Sequence, residues 1–283
     1  MLALAFGILA AVSWAVHDLM VRRLTQGGAV LPLVLIVAAS AVAVLLVPSL
    51  VLGDWSRMDA RAMRISGAAG VTYVAGMMGL YMALKLAPVR LVAPVLGAYP
   101  MITLGLAAAQ GRAVTGLEWA AVAAIVGGVA IVAMVSDERR EGEGSLVPAM
   151  IWAVVGACGF AATFALGQEA ARSGSELPAI LVTRIAGLAV IAVLALVARA
   201  PVSEARGCVR THCLMGELHA LGLGLVLASA RLPSPEYAAI SSSLFGVLTI
   251  LLAWRFLSER VRPAQWGGIV VVFAGIAVLS AQG

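Results

Sequence analysis

The chain alternates between long runs of apolar residues and short polar connections. The runs lack the polar stripe at helical spacing that a water-soluble helix of the same length would show. Each is close to the ~20 residues that an α-helix needs to cross a ~30 Å hydrocarbon core. The pattern therefore predicts transmembrane helices. We place ten of them, at residues 2–21, 29–52, 65–87, 91–110, 117–135, 146–168, 177–199, 213–231, 236–257 and 264–281.

The stretch Leu232–Gln282 shows this pattern most clearly. An apolar run at Tyr237–Leu257 is followed by a charged turn at Ser258–Pro263 and by a second apolar run at Gln265–Leu279. Two runs of this length, the first almost without charge and the second uncharged, joined by a short charged turn, predict a transmembrane helical hairpin.

An earlier stretch, residues 86–133, repeats this hairpin when the chain is shifted by 147 positions. Proline opens both segments, a small polar turn divides both at the same place, and tryptophan enters both following helices. Shifts of 149 and 146 positions align other parts of the two halves, which indicates small insertions between the elements. The shift of 147 pairs Pro88 with Pro235, Trp119 with Trp266, Gly128 with Gly275 and Ala130 with Ala277.

This repetition predicts an internal duplication, and internal repeats in a polytopic membrane protein point to a transporter. Each half holds five predicted helices, an odd number, so the halves would insert with opposite orientations. We therefore predict an all-α integral membrane protein with ten transmembrane helices, an inverted repeat of five plus five. The halves are residues 1–135 and 146–283, and the hydrophilic segment 136–145 links them.

Composition agrees with a chain embedded in lipid. Apolar residues make up 62% of it and charged residues 12%, and the mean hydropathy is +1.04, whereas soluble domains have about 25% charged residues. The net charge of +5 would suggest nucleic acid in a soluble protein. Here the basic residues lie mostly between apolar runs, as membrane-flanking charge does, so the expected partner is the lipid bilayer and not nucleic acid.

Two segments depart from the simple pattern. Pro94 and Pro100 interrupt the fourth predicted helix, where proline either kinks the helix or frees carbonyls to line a cavity. The eighth carries Glu217 and His219 near its start, so it either begins after His219 or takes two ionisable groups into the membrane. The glycines of the third and fifth helices are interpreted as close-packing positions. They are Gly67, Gly70, Gly76, Gly79, Gly127 and Gly128.

These features resemble the drug/metabolite transporter superfamily, specifically its EamA-like members. The family pattern is a proline opening the fourth and ninth helices, a small-Glu-Arg turn after them, and a Gly-rich following helix. Pro235, Ser258–Arg260 and Trp266–Gly268 match it, whereas Gly111–Arg112 stands where Gly-Glu is usual. The resemblance covers essentially the whole chain. It implies the fold and transport, and leaves the substrate open among amino acids, nucleosides, sugars, amines and drugs.

Ionisable residues inside membrane helices are costly unless paired or hydrated, so each is a candidate functional group. Trp14, His17 and Asp18 share one face of the first helix by their spacing. That face would form a substrate-amine or proton site in a central cavity. Alternatively, His17 and Asp18 reach the headgroups together with Arg22 and Arg23 one turn on.

Arg184 lies deeper in its predicted helix than its charged neighbours. Its two-pronged guanidinium would bind a carboxylate, or it would pair structurally with Asp18 or a helix end, which is the role we expect. Tyr73, Tyr81 and Tyr99 would line a cavity or belong to the aromatic belts at the membrane interfaces.

The remaining polar groups have weaker signals. Ser241, Ser242 and Ser243 form a polar notch in the ninth helix, and their hydroxyls either satisfy local carbonyls or contact substrate. Any proton coupling is assigned to Asp18, His17 or Glu217. We expect no metal and no other cofactor, because the cysteines and histidines near the eighth helix fit zinc spacing poorly. They are Cys208, His212, Cys213 and His219.

Orientation stays open at this point. With the N-terminus inside, the inner connections would hold six basic residues and the outer ones twelve, so the positive-inside rule favours an outside N-terminus. The resemblance implies that both termini are inside. In either case the two termini share one side of the membrane.

We therefore predict a secondary transporter, not an enzyme, in the bacterial inner (cell) membrane. It would export an amino acid or related metabolite by alternating access, with uptake or exchange of another small solute as the alternative. An intramembrane lipid enzyme would need His, Asp or Glu clustered at one depth, and a non-transporting scaffold would need no polar groups in its helices. The sequence makes no prediction of the oligomeric state.

Overall fold

The computed structural model describes residues 2–26, 28–109, 111, 113–134, 146–201, 209–228, 241–242 and 244–282. Its main helices are α1 (Leu2–Thr25), α2 (Val30–Leu52), α3 (Ala60–Leu86), α4 (Val89–Gly97), α5 (Tyr99–Ala109), α6 (Gly116–Met134), α7 (Val147–Ser173), α8 (Glu176–Val197), α9 (Val209–Ala228), α10 (Phe245–Phe256) and α11 (Pro263–Gln282). A short 3-10 turn spans Trp55–Arg57. No strand occurs in the described part of the chain, which confirms the all-helical class.

Five helices, α1, α2, α3, α7 and α8, are long and apolar enough to cross a membrane. Helices α6, α10 and α11 are apolar but shorter. The outer surface of the bundle is apolar as well, with Leu196 78% and Val51 73% exposed. Such a surface is unfavourable in water and ordinary in lipid. The predicted number of ten crossings stays a prediction.

Helix α3 begins five residues before the predicted position, at Ala60. The carboxylate of Asp59 accepts a hydrogen bond from the backbone nitrogen of Ala62 at 2.7 Å and so caps the first turn. The polar first turn, which the apolar pattern alone assigns to a loop, is therefore helical.

The fourth predicted helix is divided, as its prolines indicate. Helix α4 ends at Gly97, Ala98 separates the two pieces, and α5 begins at Tyr99. Pro100 lies in the first turn of α5, where its missing N–H leaves no helical hydrogen bond unmade. In a single continuous helix the same proline would have lost that bond. Pro94 lies within α4.

The eighth segment is a helix from Val209 to Ala228, which begins before the predicted residue 213. Glu217 and His219 are both inside it. The structure therefore excludes a helix that begins after His219, and both ionisable residues belong to α9.

Contacts between the two halves occur in matched pairs. Helix α3 packs on α7 as α1 packs on α9, and α3 packs on α8 as α2 packs on α9. The contact of α4 with α7 is likewise matched by that of α1 with α10. Exchanging each helix for its counterpart in the other half turns each of these contacts into its partner, as an internal two-fold axis would. The opposite orientation of the halves stays a prediction.

The closest helix contacts rely on glycine. At Gly79 an added Cβ would lie 2.7 Å from the carbonyl oxygen of Trp152, and at Gly159 it would lie 2.7 Å from the Cα of Gly76. Helices α3 and α7 can therefore approach only because neither has a side chain there. The packing interpretation is confirmed for Gly70, Gly76, Gly79 and Gly128, and is wrong for Gly67 and Gly127, which face open space.

Candidate functional site

A cavity of about 390 Å³ lies inside the bundle and is lined by helices of both halves. Residues far apart in the chain meet on its wall, because the packing of α1 with α9 and of α3 with α8 brings their faces together. Six residues singled out in the sequence line it: Trp14, His17, Asp18, Tyr73, Tyr99 and Arg184.

His17 and Asp18 are buried, with 1% and 5% of their surface exposed. Nδ1 of His17 lies 2.9 Å from a carboxylate oxygen of Asp18, and Nε2 lies 3.0 Å from the hydroxyl of Tyr81. The alternative that these residues reach the headgroups is therefore wrong. Helix α1 continues to Thr25, so both lie inside the bundle and not at its edge.

Arg184 is also buried, with 5% of its surface exposed. Its Nη2 lies 3.3 Å from Nδ1 of His219, and its guanidinium carbon lies 4.0 Å from the centre of the Tyr73 ring. Its Nη1 has no hydrogen-bond partner within the described residues. The expected structural pairing with Asp18 or a helix end does not appear among the described contacts of Arg184, which instead join it to the cavity wall.

His219 is the site residue that the sequence did not single out for the cavity. Its ring centre lies 5.3 Å from that of His17 and 5.9 Å from that of Tyr73. Its carbonyl oxygen accepts a hydrogen bond from the indole of Trp14 at 3.3 Å. His219 thus links Trp14 and His17 of α1 to Arg184 and Tyr73.

The other predicted residues divide between the cavity and its surroundings. Tyr73 and Tyr81 are buried, so neither belongs to an interfacial belt. Tyr99 faces Phe164 across the cavity wall, with ring centres 5.2 Å apart. Glu217 is exposed and does not line the cavity.

Ser241, the first residue of the polar notch, contacts α1. The hydroxyl of Ser241 donates to the carbonyl oxygen of Leu4 at 3.2 Å, so the carbonyl that it satisfies belongs to another helix. Ser242 is buried, and neither serine is on the cavity wall. Ser243 lies outside the described residues.

The cavity reaches the surface at one end of the bundle, which we call the open end. There Arg172 and Glu176, where α7 gives way to α8, line its mouth, and Arg172 is exposed. Gly174 packs on Ala62 in the first turn of α3, so the mouth lies beside the start of that helix.

At the other end of α3, which we call the closed end, a charged contact joins the two halves. Nε of Arg22 lies 3.4 Å from Glu259, and Nη1 of Arg22 donates to the carbonyl oxygen of Leu84 at 2.6 Å. The carboxylate of Glu259 accepts from the backbone nitrogens of Val89 and Arg90 at 3.2 and 3.5 Å. A carboxylate at the first turn of α4 is favourable because the helix dipole is positive there.

No three His, Cys, Asp or Glu side chains come together to hold a metal ion in the part of the chain that the structure describes. Cys208 lies outside that part. The expectation of no metal therefore stays a prediction.

Comparison with known proteins decides the family. The model of the EamA-like transporter family matches residues 1–134 and again residues 147–281. The chain belongs to the EamA-like transporter family. As an EamA-like protein it is an integral membrane transporter of small solutes, and the resemblance seen in the sequence is confirmed.

The fold has a counterpart among solved structures. One described as "Crystal structure of protein" aligns with a TM-score of 0.64 over 98% of this chain and 95% of that chain, at 18% identity. At this identity the likeness shows a shared fold alone. No curated protein matches the sequence.

Proposed function

We propose that this EamA-like protein is a secondary transporter that exports an amino acid or a related small metabolite by alternating access. The observation that carries the proposal is a cavity between the two halves that opens at one end and holds buried ionisable groups. Such groups are costly in a membrane protein unless they serve a solute or ion pathway. The volume of about 390 Å³ falls in the range of ~300–1,000 Å³ usual for small-molecule sites.

Alternating access requires contacts that can form and break at each end in turn. The closed end supplies such a contact, because Glu259 follows α10 of the second half and binds α1 and α4 of the first. Rocking of one half against the other would break this contact and open the cavity on that side. The central residues would then face the second compartment.

Proton coupling is the energy source that we propose for uphill transport. His17 and Asp18 share a hydrogen bond of 2.9 Å on the cavity wall. Binding of a proton to this pair would change the charge of the wall that contacts the solute. No nucleotide-binding motif occurs in the sequence.

Two measurements on the purified, full-length protein test the proposal. The first is melting temperature across amino acids, amines, nucleosides and sugar phosphates at two pH values, since a ligand that binds the folded state raises it. The second is transport of each stabilising solute in proteoliposomes with an imposed pH gradient. Direction is then read in everted membrane vesicles, where an exporter accumulates its solute.

Asp18→Asn and the exposed Glu217→Gln form a matched pair of variants. We expect Asp18→Asn to abolish accumulation driven by the pH gradient while solute exchange without a gradient persists. Glu217→Gln should retain both. Loss of gradient-driven accumulation in Glu217→Gln with full activity in Asp18→Asn would refute the assignment of coupling, and no transport of any solute would refute the function.

A further inference from the structure

We infer that Arg184 and Tyr73 form a carboxylate subsite, and that the transported solute is a monocarboxylate with an apolar body of about aromatic size. This inference rests on the proposed transport function and narrows its substrate class. It also assigns Arg184 a role in binding, where the sequence favoured a structural one.

The first step concerns hydrogen bonds that Arg184 and Tyr73 do not make. Both side chains are at least 95% buried, with 5% and 3% of their surface exposed. By distance and angle, Nη1 of Arg184 and the hydroxyl of Tyr73 make no hydrogen bond to any described residue, although the guanidinium itself lies against the Tyr73 ring. Buried donors without partners are rare and unfavourable, above all on a charged group. Both residues line the cavity, so a solute there can supply the missing acceptor.

The second step concerns which chemistry fits these donors. A guanidinium donates hydrogen bonds and never accepts them, so the partner of Nη1 must be an acceptor. The guanidinium carbon lies 4.0 Å from the centre of the Tyr73 ring, which places the phenolic hydroxyl close to the same part of the cavity. A cation beside a hydroxyl in a site of low polarity selects a carboxylate over a neutral acceptor.

The third step concerns how Arg184 is held. Because arginine only donates, Nδ1 of His219 must be the acceptor of the 3.3 Å contact with Nη2. The proton of neutral His219 then lies on Nε2. His219 is thus a positioning residue, which occupies one prong of the guanidinium and leaves Nη1 for the solute.

The fourth step concerns Asp18, the other charged group in the inner cavity. Its carboxylate already accepts from or shares a proton with Nδ1 of His17 at 2.9 Å. The guanidinium of Arg184 has no comparable anionic partner in the described structure. Asp18 therefore has a partner within α1, whereas Arg184 has no anionic one, so the guanidinium is the group left to bind an anionic part of the solute.

The last step concerns the body of the solute. Apart from the charged groups, the wall is mainly apolar and rich in aromatic rings. Trp14 meets Phe245 edge to face at 5.9 Å, and Tyr99 faces Phe164 at 5.2 Å. Aromatic edges and faces such as these favour a ring or a branched apolar group.

Three related compounds test which charged group of the solute the cavity binds. They are 3-phenylpropanoate, which carries a carboxylate, 2-phenylethylamine, which carries an ammonium group, and phenylalanine, which carries both. Binding is measured on the purified full-length protein by calorimetry and melting temperature. We expect 3-phenylpropanoate and phenylalanine to bind and 2-phenylethylamine to bind at least tenfold more weakly. Equal or tighter binding of the amine would overturn the subsite.

Variants of Tyr73 and Arg184 then test which side chains donate hydrogen bonds to the carboxylate of the solute. Tyr73→Phe keeps the packing and removes only the hydroxyl, so we expect about tenfold weaker carboxylate binding, the usual effect of one hydrogen bond to a charged group. Arg184→Gln should abolish carboxylate binding, Arg184→Lys should restore it in part, and the exposed control Arg61→Gln should change nothing. If Arg184→Gln does not fold, Tyr73→Phe still decides, because unchanged affinity there overturns the proposal.

The two hypotheses fail in different ways. If proteoliposomes transport another solute and none of the three probes binds, the carboxylate subsite is wrong and the transporter assignment stands. If no solute is transported but the carboxylates bind with the expected dependence on Tyr73, the subsite stands and the transport function is wrong.

Discussion

The two ends of the bundle use charge in different ways. At the closed end Arg22 and Glu259 are only 12% and 10% exposed, and both also bind backbone groups of neighbouring helices. At the open end the ion pair of Arg61 with Glu169 is short, 2.8 Å, yet its side chains are 66% and 44% exposed. Water screens the second pair and not the first. The closed end is therefore a structural contact between the halves, and the open end is a solvated rim.

The two halves differ at the residue that makes this contact. Glu259 of the second half corresponds to Arg112 of the first at the shift of 147 positions. A carboxylate stabilises the start of a helix, whereas a guanidinium there is unfavourable. By its charge, Arg112 is therefore unsuited to the kind of interaction that Glu259 makes with α4. We expect this asymmetry to favour the conformation that is shut at the closed end.

The largest effect is expected for Glu259→Gln. It removes the buried negative charge that faces Arg22 and weakens the contact of residue 259 with the first turn of α4. Removing one partner of a buried pair costs ~3–5 kcal/mol. We expect somewhat less, about 2–3 kcal/mol, because Arg22 keeps its bond to Leu84. The melting temperature of the protein in detergent measures the loss.

Hydrogen exchange gives the local readout for the same variant. The amides of Val89 and Arg90 donate to Glu259, so they should lose protection while the amides of α7 keep theirs. Glu169→Gln is the matched control at the open end. Equal loss of stability in the two variants would contradict the distinction between the ends.

A smaller effect is expected for Arg22→Gln. This variant removes the ion pair but leaves Glu259 bound to the amides of α4, which still compensate part of its charge. We expect about half the destabilisation of Glu259→Gln. The double variant should be no worse than Glu259→Gln alone, because residues in one contact are not additive. If the loss of stability in the double variant equals the sum of the two single losses, the two side chains act independently.

Much of the fold follows from the sequence because lipid imposes a length and a composition on each helix. The break near Pro100 follows in the same way, because proline has one fixed effect on a helix. The face that joins Trp14, His17 and Asp18 follows from helical spacing alone. These features depend on local chemistry, which the sequence contains in full.

The role of His219 could not be predicted in this way. His219 and Glu217 are two residues apart, so they point to different sides of α9. A soluble helix reveals its inner face by a polar stripe on the other side, but a membrane helix is apolar all round. Only the packing of α9 on α1 and α2 shows that His219 is inside and Glu217 outside.

The contact of Arg22 with Glu259 could not be predicted from the sequence either. The two residues are 237 positions apart (259 − 22), and each has nearer charged neighbours in the sequence. In the sequence, Glu259 appears only as part of the small-Glu-Arg turn of the family pattern, which does not show that it contacts the other half. Tertiary structure supplies the partner.

The smallest effect is expected for Arg61→Ala at the open end. It removes a salt bridge of 2.8 Å, and by distance alone this pair is stronger than the contact of Arg22 with Glu259 at 3.4 Å. Exposed pairs nevertheless contribute only ~0–1 kcal/mol, because water solvates both groups when they separate. We expect a loss below about 0.5 kcal/mol in low salt and no difference from wild type in high salt, where exposed charges are screened. A loss as large as that of Glu259→Gln, persisting in high salt, would show that distance, and not burial, determines how much each ion pair contributes to stability.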